Sequence, residues 1–125
     1  MSERWIVDGM NVIGSRPDGW WRDRERAMRE LATALAEYAA ESGEEVAVVF
    51  DGRAPQRPFD ASGIEVSFAP GGRNAADDRI VAIVAEDDDP SNLRVVTSDK
   101  ALDNRVRARG AAVEPAGAFR RRLDG

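Results

Sequence analysis

A chain of 125 residues with 42% hydrophobic and 33% charged side chains has the length and balance of a single soluble globular domain. Neither cysteine nor histidine occurs in it. This excludes disulfides, thiolate or imidazole metal sites, and any reaction that uses a histidine base. Catalysis would have to use carboxylates, hydroxyls, amines or a metal ion with oxygen ligands.

Charge and hydropathy limit the partners and the cellular location that we expect. The formal net charge is −5, but acidic residues prevail in residues 1–99 and basic residues in residues 100–125, and every basic residue except Lys100 is an arginine. Arginine suits bidentate contacts with phosphate, although high-GC codon usage accounts for the bias equally well. The N-terminus carries no signal segment and no apolar run approaches ~18 residues, so we expect a cytoplasmic protein without a membrane partner.

The first predicted element is a short strand that ends in an acid. Residues 5–7, Trp-Ile-Val, favour β-structure and lead into Asp8, which a glycine follows in a turn-forming pair. Residues 15–21 form a loop with a Pro-Asp-Gly turn signal. Its two tryptophans, Trp20 and Trp21, are suited either to stack on a base or to staple the start of the next helix, and we favour the staple.

A long helix and a second strand follow. Residues 22–41 repeat apolar side chains at spacings of three and four, which predicts a helix with one face on the core. Residues 46–50 are almost continuously apolar, as in a strand that is covered on both faces. Residues 51–63 form a long loop with Arg53 and Arg57, which is either a binding loop or a flexible surface excursion.

The second half of the chain continues the alternation of strands and helices. Strands are predicted at residues 64–68 (near a sheet edge), 93–97 and 111–113, and helices at residues 75–86, 100–109 and 115–123. The acidic loop at residues 86–89 is expected to be solvated surface. The pattern predicts one α/β domain over residues 1–125, a three-layer α/β/α sandwich around a mostly parallel sheet of about five strands.

Three of the predicted strands run into an acidic residue. These residues are Asp8, Asp51 and Asp99, the last of them after a Thr-Ser pair. The carboxyl ends of parallel strands share one edge of the sheet, and ligands bind at that edge in open α/β sheets. We therefore expect the three carboxylates to meet on one rim.

Further acids are expected to join this rim. In the helix at residues 75–86, for which Asn74 is the expected N-cap, Asp77 is aligned with the buried stripe and Asp78 is rotated from it by about 100°. Acids in a first turn favour the helix dipole, but a buried acid also needs a partner, and a cation is the obvious one. Asp103 comes one helical turn after the third strand-end acid and faces the same way.

A cluster of like charges is unstable without a counter-cation. Carboxylate ligands in a chain without cysteine or histidine select Mg²⁺ or Mn²⁺. Such an ion beside arginine-bearing loops is suited to hydrolyse a phosphodiester, because it activates water, stabilises the charge of the transition state and orients the phosphate. Composition and spacing thus predict metal-dependent phosphoryl chemistry.

Four motifs occur in the order VDGMNVIG, VVFDG, NAADDRIV and VVTSDKALD, from residue 5 to about residue 110. Together they resemble the NYN domain family of PIN-like ribonucleases, and in particular its bacterial YacP-like branch. The resemblance implies a PIN-like fold and an endoribonuclease that depends on Mg²⁺ or Mn²⁺. It implies single-stranded RNA as the substrate, with the ribosome or tRNA as further candidate partners, and leaves the oligomeric state open.

The resemblance also implies the site residues. The implied catalytic set is Asp8, Asn11, Asp77, Asp78, Ser98, Asp99 and Asp103. Its aspartates are the implied metal ligands, while the asparagine and the serine orient ligands through hydrogen bonds. Asp51 matches a recurring aspartate whose role is to fix its loop. We predict contacts with the RNA backbone for Arg53, Arg57, Arg73, Arg105 and Arg109.

Three other functions fit parts of the pattern. A non-catalytic RNA-binding or regulatory module with the same fold is disfavoured, because acids at a phosphate site are costly unless a metal offsets them. A small-molecule phosphatase is disfavoured because Asp8 is followed by Gly-Met instead of a second acid two residues on. A toxin-type PIN ribonuclease shares the chemistry and is not separated by sequence. Met10 and Ala75 depart from the tyrosine and threonine that YacP-like members often carry there.

Overall fold

A computed structural model describes residues 3–59, 61–72 and 74–125. Its strands are β1 (Arg4–Asp8), β2 (Glu45–Asp51), β3 (Glu65–Ala69), β4 (Leu93–Val96) and β5 (Ala112–Glu114). Its α-helices are α1 (Gly9–Ile13), α2 (Arg24–Ser42), α3 (Ala75–Glu86), α4 (Lys100–Arg107) and α5 (Ala116–Asp124), with 3₁₀ turns at Trp20–Arg22 and Pro90–Asn92. None of the described helices is long and apolar enough to cross a membrane.

The five strands form one sheet in the order β3-β2-β1-β4-β5, and every neighbouring pair is parallel. The chain starts in the centre, moves outward to β3 at one edge, and then crosses to the other side of β1. This confirms the predicted α/β fold and the edge position of the third strand. It also brings the carboxyl ends of all five strands to the same edge.

Helices cover both faces of the sheet, as the predicted three layers require. Trp5 and Val7 of β1 pack with residues of α1, α2 and α5, whereas Ile6 packs with residues of α3 and α4. This alternation follows from the two-residue period of a strand. Both cores are made of fully buried apolar side chains, so the sheet is a rigid platform for the groups at its carboxyl edge.

The same period decides where the strand-end acids point. Asp8 follows Ile6 by two residues, and Asp51 follows Val49 by two residues. Ile6 and Val49 both belong to the core under α3 and α4. The two carboxylates therefore face the α3–α4 side of the carboxyl edge.

Helix α1 was not predicted, because five residues are too short for a helical period to show in sequence. It begins directly after β1 and packs closely on β2. A Cβ atom on Gly9 would overlap the buried ring of Phe50. The absence of a side chain at Gly9 is what allows α1 to lie this close to the sheet.

Two local predictions are corrected by the structure. Asn74 stands at the N-cap position of α3, but its side chain makes no capping hydrogen bond. The loop at residues 86–89 is not wholly solvated, because Asp87 forms an ion pair with Arg4 and its side chain is only 16% exposed. An acidic run gives no sign of a partner that lies 83 residues away.

The two tryptophans before α2 have different environments. Trp20 is partly buried and packs against the core, so the staple prediction is confirmed for it. Trp21 is 55% exposed, and the staple prediction is wrong for this residue.

Candidate active site

A cavity of ≈ 290 Å³ lies at the carboxyl edge of the sheet. We call it the acid cavity, and it is lined by Asp8, Met10, Asn11, Asp51, Asn74, Asp77 and Asp99. Its four carboxylates come from four places, namely the ends of β1 and β2, the first turn of α3 and the N-cap of α4. The convergence of strand-end and helix-start acids, expected from the order of the elements, is present in the fold.

A buried threonine connects two of these acids. The Thr97 hydroxyl donates to Asp8 Oδ2 over 2.9 Å, and it accepts a hydrogen bond from the Asp99 backbone N–H over 3.0 Å. Asp99 in turn caps α4 by accepting from the Leu102 N–H over 3.1 Å. Thr97 is 1% exposed, so its hydroxyl is held by packing and fixes the positions of both acids.

The acid cavity is electrostatically unfavourable for its own carboxylates. Burial raises the pKa of Asp8 to about 7 from its usual 3.8; the hydrogen bond from Thr97 opposes this rise, and the charges of Asp77, Asp51 and Asp99 add to it. Burial is also the main cause that raises the pKa of Asp77 and the pKa of Asp51. The charged forms of these three carboxylates are therefore less favourable in the folded protein than in water.

Asn11 and Ser98 are placed by a hydrogen bond between them. The Ser98 backbone N–H donates to Asn11 Oδ1 over 2.8 Å, so the amide NH₂ group of Asn11 remains as the donor for another partner. The Ser98 hydroxyl accepts from the Ala116 backbone N–H over 2.9 Å. Asn11 lines the acid cavity and Ser98 does not; the serine instead connects the end of β4 to the start of α5.

Two predicted ligands lie outside the lining of the acid cavity. Asp78 is exposed and forms an ion pair with Arg105 over 3.0 Å. Asp103 forms an ion pair with Arg107 one turn further along α4. Of the neighbouring pair in the first turn of α3, Asp77 is the residue that the fold turns into the acid cavity.

The arginines predicted to contact RNA are mostly at the surface. Arg53, Arg57, Arg105 and Arg109 are exposed, and Arg73 lies outside the described residues. An arginine that was not predicted, Arg24 in the first turn of α2, carries a positive charge that opposes the rise in the pKa of Asp51, which burial causes. Arg24 is therefore a cation at the rim of the site.

Sequence reasoning gave Thr97 no role, and it placed Asp51 on the rim of acids but left it out of the catalytic and metal-binding residues. A threonine within a strand is ordinary, since β-branched residues favour strands. The available signal was position, because Thr97 stands at the end of a strand, two residues before an acid. For Asp51 the signal was the shared period with Asp8, which puts both carboxylates on one face of the sheet.

The donor set of the acid cavity fits a hydrated divalent cation. Carboxylate and amide oxygens are ligands that Mg²⁺ and Mn²⁺ accept, and a cation would offset the cost of ionising the buried Asp8, whose pKa is raised mainly by burial and further by the neighbouring acids. In the described part of the chain no three acidic side chains stand close enough together to form a ready metal site. Mg²⁺ usually keeps several of its waters, so it does not need all four carboxylates in direct contact.

Replacing Thr97 by valine is expected to raise the pKa of Asp8 further and to lower the free energy of unfolding by about 1–3 kcal/mol. The valine leaves the Asp8 carboxylate and the Asp99 N–H without their shared partner. NMR titration of the Asp8 carboxyl carbon and urea unfolding measure the two effects. Thr97→Ser is the control and should titrate like the wild type; a valine variant with an unchanged Asp8 titration would show that the hydroxyl does not set this pKa.

Comparison with known proteins identifies relatives of this fold and sequence. The family model of the YacP-like NYN domain matches residues 5–125. Two crystal structures of Rae1 (YacP) from Bacillus subtilis, one of them of a mutant, are similar to this chain with TM-scores of 0.81 and 0.79 at 28% and 29% sequence identity. The similarity covers 98% of this chain and 74% and 75% of those chains. Among curated protein sequences there is no significant match. Because the family model covers almost the whole chain, this protein belongs to the YacP-like NYN domain family, as its four motifs predicted.

Proposed function

We propose that this protein is an endoribonuclease that hydrolyses RNA phosphodiester bonds with Mg²⁺ or Mn²⁺ bound in the acid cavity. The observation that carries the proposal is the convergence of Asp8, Asp51, Asp77 and Asp99 on one cavity at the carboxyl edge of the sheet. Membership of the YacP-like NYN domain family supports nuclease activity on RNA. A cation in the acid cavity would offset the repulsion between its carboxylates and the phosphate that is cleaved.

The residues of the acid cavity have different roles in the proposed reaction. Asp8, Asp77 and Asp99 would hold the ion, directly or through water, and Asp51 adds negative charge on the same side. A bound divalent cation supplies positive charge that stabilises the phosphate in the transition state and lowers the pKa of a water molecule. Asn11 offers its NH₂ group to a phosphate oxygen, since its carbonyl oxygen is already bonded to Ser98 N–H.

The chemistry of the chain favours attack by water over attack by the RNA's own 2′-hydroxyl. In the proposed reaction water adds to phosphorus and the bond to the 3′ oxygen breaks, so the products carry a 5′-phosphate and a 3′-hydroxyl. Attack by the 2′-hydroxyl would leave a 2′,3′-cyclic phosphate instead. The sequence has no histidine to act as a base for that second route.

The proposal is tested by cleavage of an end-labelled single-stranded RNA in Mg²⁺, Mn²⁺ or EDTA, with wild type and Asp8→Asn side by side. We expect cleavage with either ion, 5′-phosphate ends, no cleavage in EDTA, and a rate on the order of 100-fold lower for Asp8→Asn. Asp103→Asn is a matched control, because Asp103 does not line the acid cavity.

Two results would overturn the proposal. Cleavage in EDTA with cyclic-phosphate ends would show that the ion is dispensable. RNA binding without cleavage in either ion would favour the non-catalytic RNA-binding module, in which the acid cavity has another role.

A further inference from the structure

The exposed tryptophan before α2 sits on a firmly held turn. The 3₁₀ turn Trp20–Arg22 follows Gly19, whose φ of 84° is a left-handed conformation that favours glycine. On its other side Asp23 caps α2 by accepting a hydrogen bond from the Arg26 N–H over 3.1 Å. A side chain presented by this turn therefore has a defined place on the surface.

The two tryptophans of the turn have separate roles. Trp20 packs against the core, and the Trp21 ring meets it edge-on, with ring centroids 6.0 Å apart and planes at 85°. The Arg22 guanidinium lies 6.0 Å from the Trp21 ring centroid. Trp20 alone staples the helix. The Trp21 side chain is 55% exposed, so it contributes little to the stability of the fold. An exposed aromatic ring beside arginine is the combination on which unpaired bases stack.

The turn lies on the same edge of the sheet as the acid cavity. A connection from β1 to the parallel strand β2 starts at the carboxyl edge and returns to the opposite edge, so the start of α2 is at the carboxyl edge. The Arg29 guanidinium stacks 4.8 Å from the Phe59 ring centroid, which holds α2 beside the loop that follows Asp51. Helix α1, which supplies Asn11 to the acid cavity, leads into the turn.

The cations of this turn are available for phosphate. Within the described ranges neither Arg22 nor Arg24 forms an ion pair, whereas Arg26 is paired with Glu30 over 2.9 Å. Arg105 of α4 is likewise paired, with Asp78 of α3. Arg24, three residues after Trp21 and near enough to Asp51 to act on its charge, thus offers an uncommitted guanidinium at the start of α2.

We propose that Trp21 and Arg24 form a nucleotide subsite of this nuclease. The base of a nucleotide next to the cleaved phosphodiester stacks on Trp21, and the phosphate of that nucleotide binds Arg24. Stacking requires an unpaired base, so the subsite selects single-stranded over double-stranded RNA. This inference rests on the proposed function for the identity of the ligand.

Binding is measured by fluorescence anisotropy of a labelled eight-nucleotide single-stranded RNA in EDTA, where cleavage is off. We expect Trp21→Ala to raise Kd about tenfold or more, and Trp21→Phe to stay within about threefold of wild type, because phenylalanine keeps a stacking face. Arg24→Ala should raise Kd and lower the slope of log Kd against log salt by about one. Arg121→Ala removes an exposed arginine from α5 and is the control for net charge.

A second substrate separates stacking from a general effect on binding. For a blunt RNA duplex the Kd should be the same for Trp21→Ala and wild type, and thermal unfolding of Trp21→Ala should match wild type because the ring is exposed. Equal losses for single-stranded and duplex RNA would overturn the subsite. So would unchanged single-stranded binding in Trp21→Ala.

The two proposals fail separately in this experiment. If wild type cleaves RNA and Trp21→Ala binds and cleaves equally well, the subsite is wrong and the nuclease stands. If Trp21 is needed for binding single-stranded RNA but no ion supports cleavage, the subsite stands and the nuclease is wrong.

Discussion

Replacing Asp77 by asparagine is expected to lower the rate of RNA cleavage on the order of 100-fold, whereas the same replacement at Asp78 should leave the rate within about threefold of wild type. The two residues are neighbours in the first turn of α3 and share its dipole. Asp77 is partly buried and lines the acid cavity. Asp78 is exposed and paired with Arg105. Comparing the two variants therefore separates the effect of a carboxylate inside the acid cavity from the effect of a negative charge at the start of the helix.

Initial rates in Mn²⁺ with saturating RNA, and Mn²⁺ affinity from the EPR signal of the free ion, measure this contrast. Asp77→Asn should weaken Mn²⁺ binding, and Asp78→Asn should not. Urea unfolding of both variants is the control for folding, and we expect Asp77→Asn to be at least as stable as wild type, because burial raises the pKa of Asp77 and the replacement removes that disfavoured charge. Equal losses in both variants would show that the two acids act through their charge alone.

The sequence alone could not choose between these two aspartates. Helical spacing aligned Asp77 with the buried stripe, and that alignment is the reason why the fold turns it inward. Whether Asp78 also reached the site depended on the docking of α3 beside α4, where Arg105 meets it. These two residues are 27 positions apart in the chain, and local periodicity does not predict a contact over that separation.

Other parts of the architecture were predictable for a physical reason. Buried parallel strands need apolar runs, and three of the runs here lead into an acid at the shared edge, so the fold class and the rim of acids followed from pattern. The hydroxyl of Thr97 and helix α1 did not follow, because one hydroxyl within a strand and five helical residues carry no periodic signal. The fates of Trp20 and Trp21 depended on the direction of a 3₁₀ turn, which composition does not encode.

The buried carboxylate of Asp8 in the acid cavity is expected to lower the free energy of unfolding when it is charged. Asp8 is 5% exposed, and its pKa is about 7 in the folded protein against 3.8 as a free side chain. The folded state therefore binds the proton more tightly than the unfolded state. The free energy of unfolding contributed by this group is fully present below pH 3.8 and falls as the pH rises towards 7. The total loss is on the order of 4 kcal/mol, since one pKa unit corresponds to about 1.4 kcal/mol.

Asp8→Asn is thus expected to unfold at higher urea concentration than wild type at pH 8 in EDTA, by up to about 4 kcal/mol, and the difference should shrink towards pH 4. Asparagine keeps the shape and the oxygen that accepts from Thr97, but it carries no charge. Addition of Mn²⁺ should raise the stability of wild type much more than that of Asp8→Asn, because only the wild type retains this carboxylate for the ion.

Asp103→Asn serves as the control, since its carboxylate is paired with Arg107 and does not line the acid cavity. It should show neither the gain in EDTA nor the loss of the response to Mn²⁺. A wild type that is as stable as Asp8→Asn at pH 8 in EDTA would mean that the buried carboxylate is already neutralised within the protein. In that case the argument for a missing cation, and with it the main electrostatic support for a metal in the acid cavity, would fail.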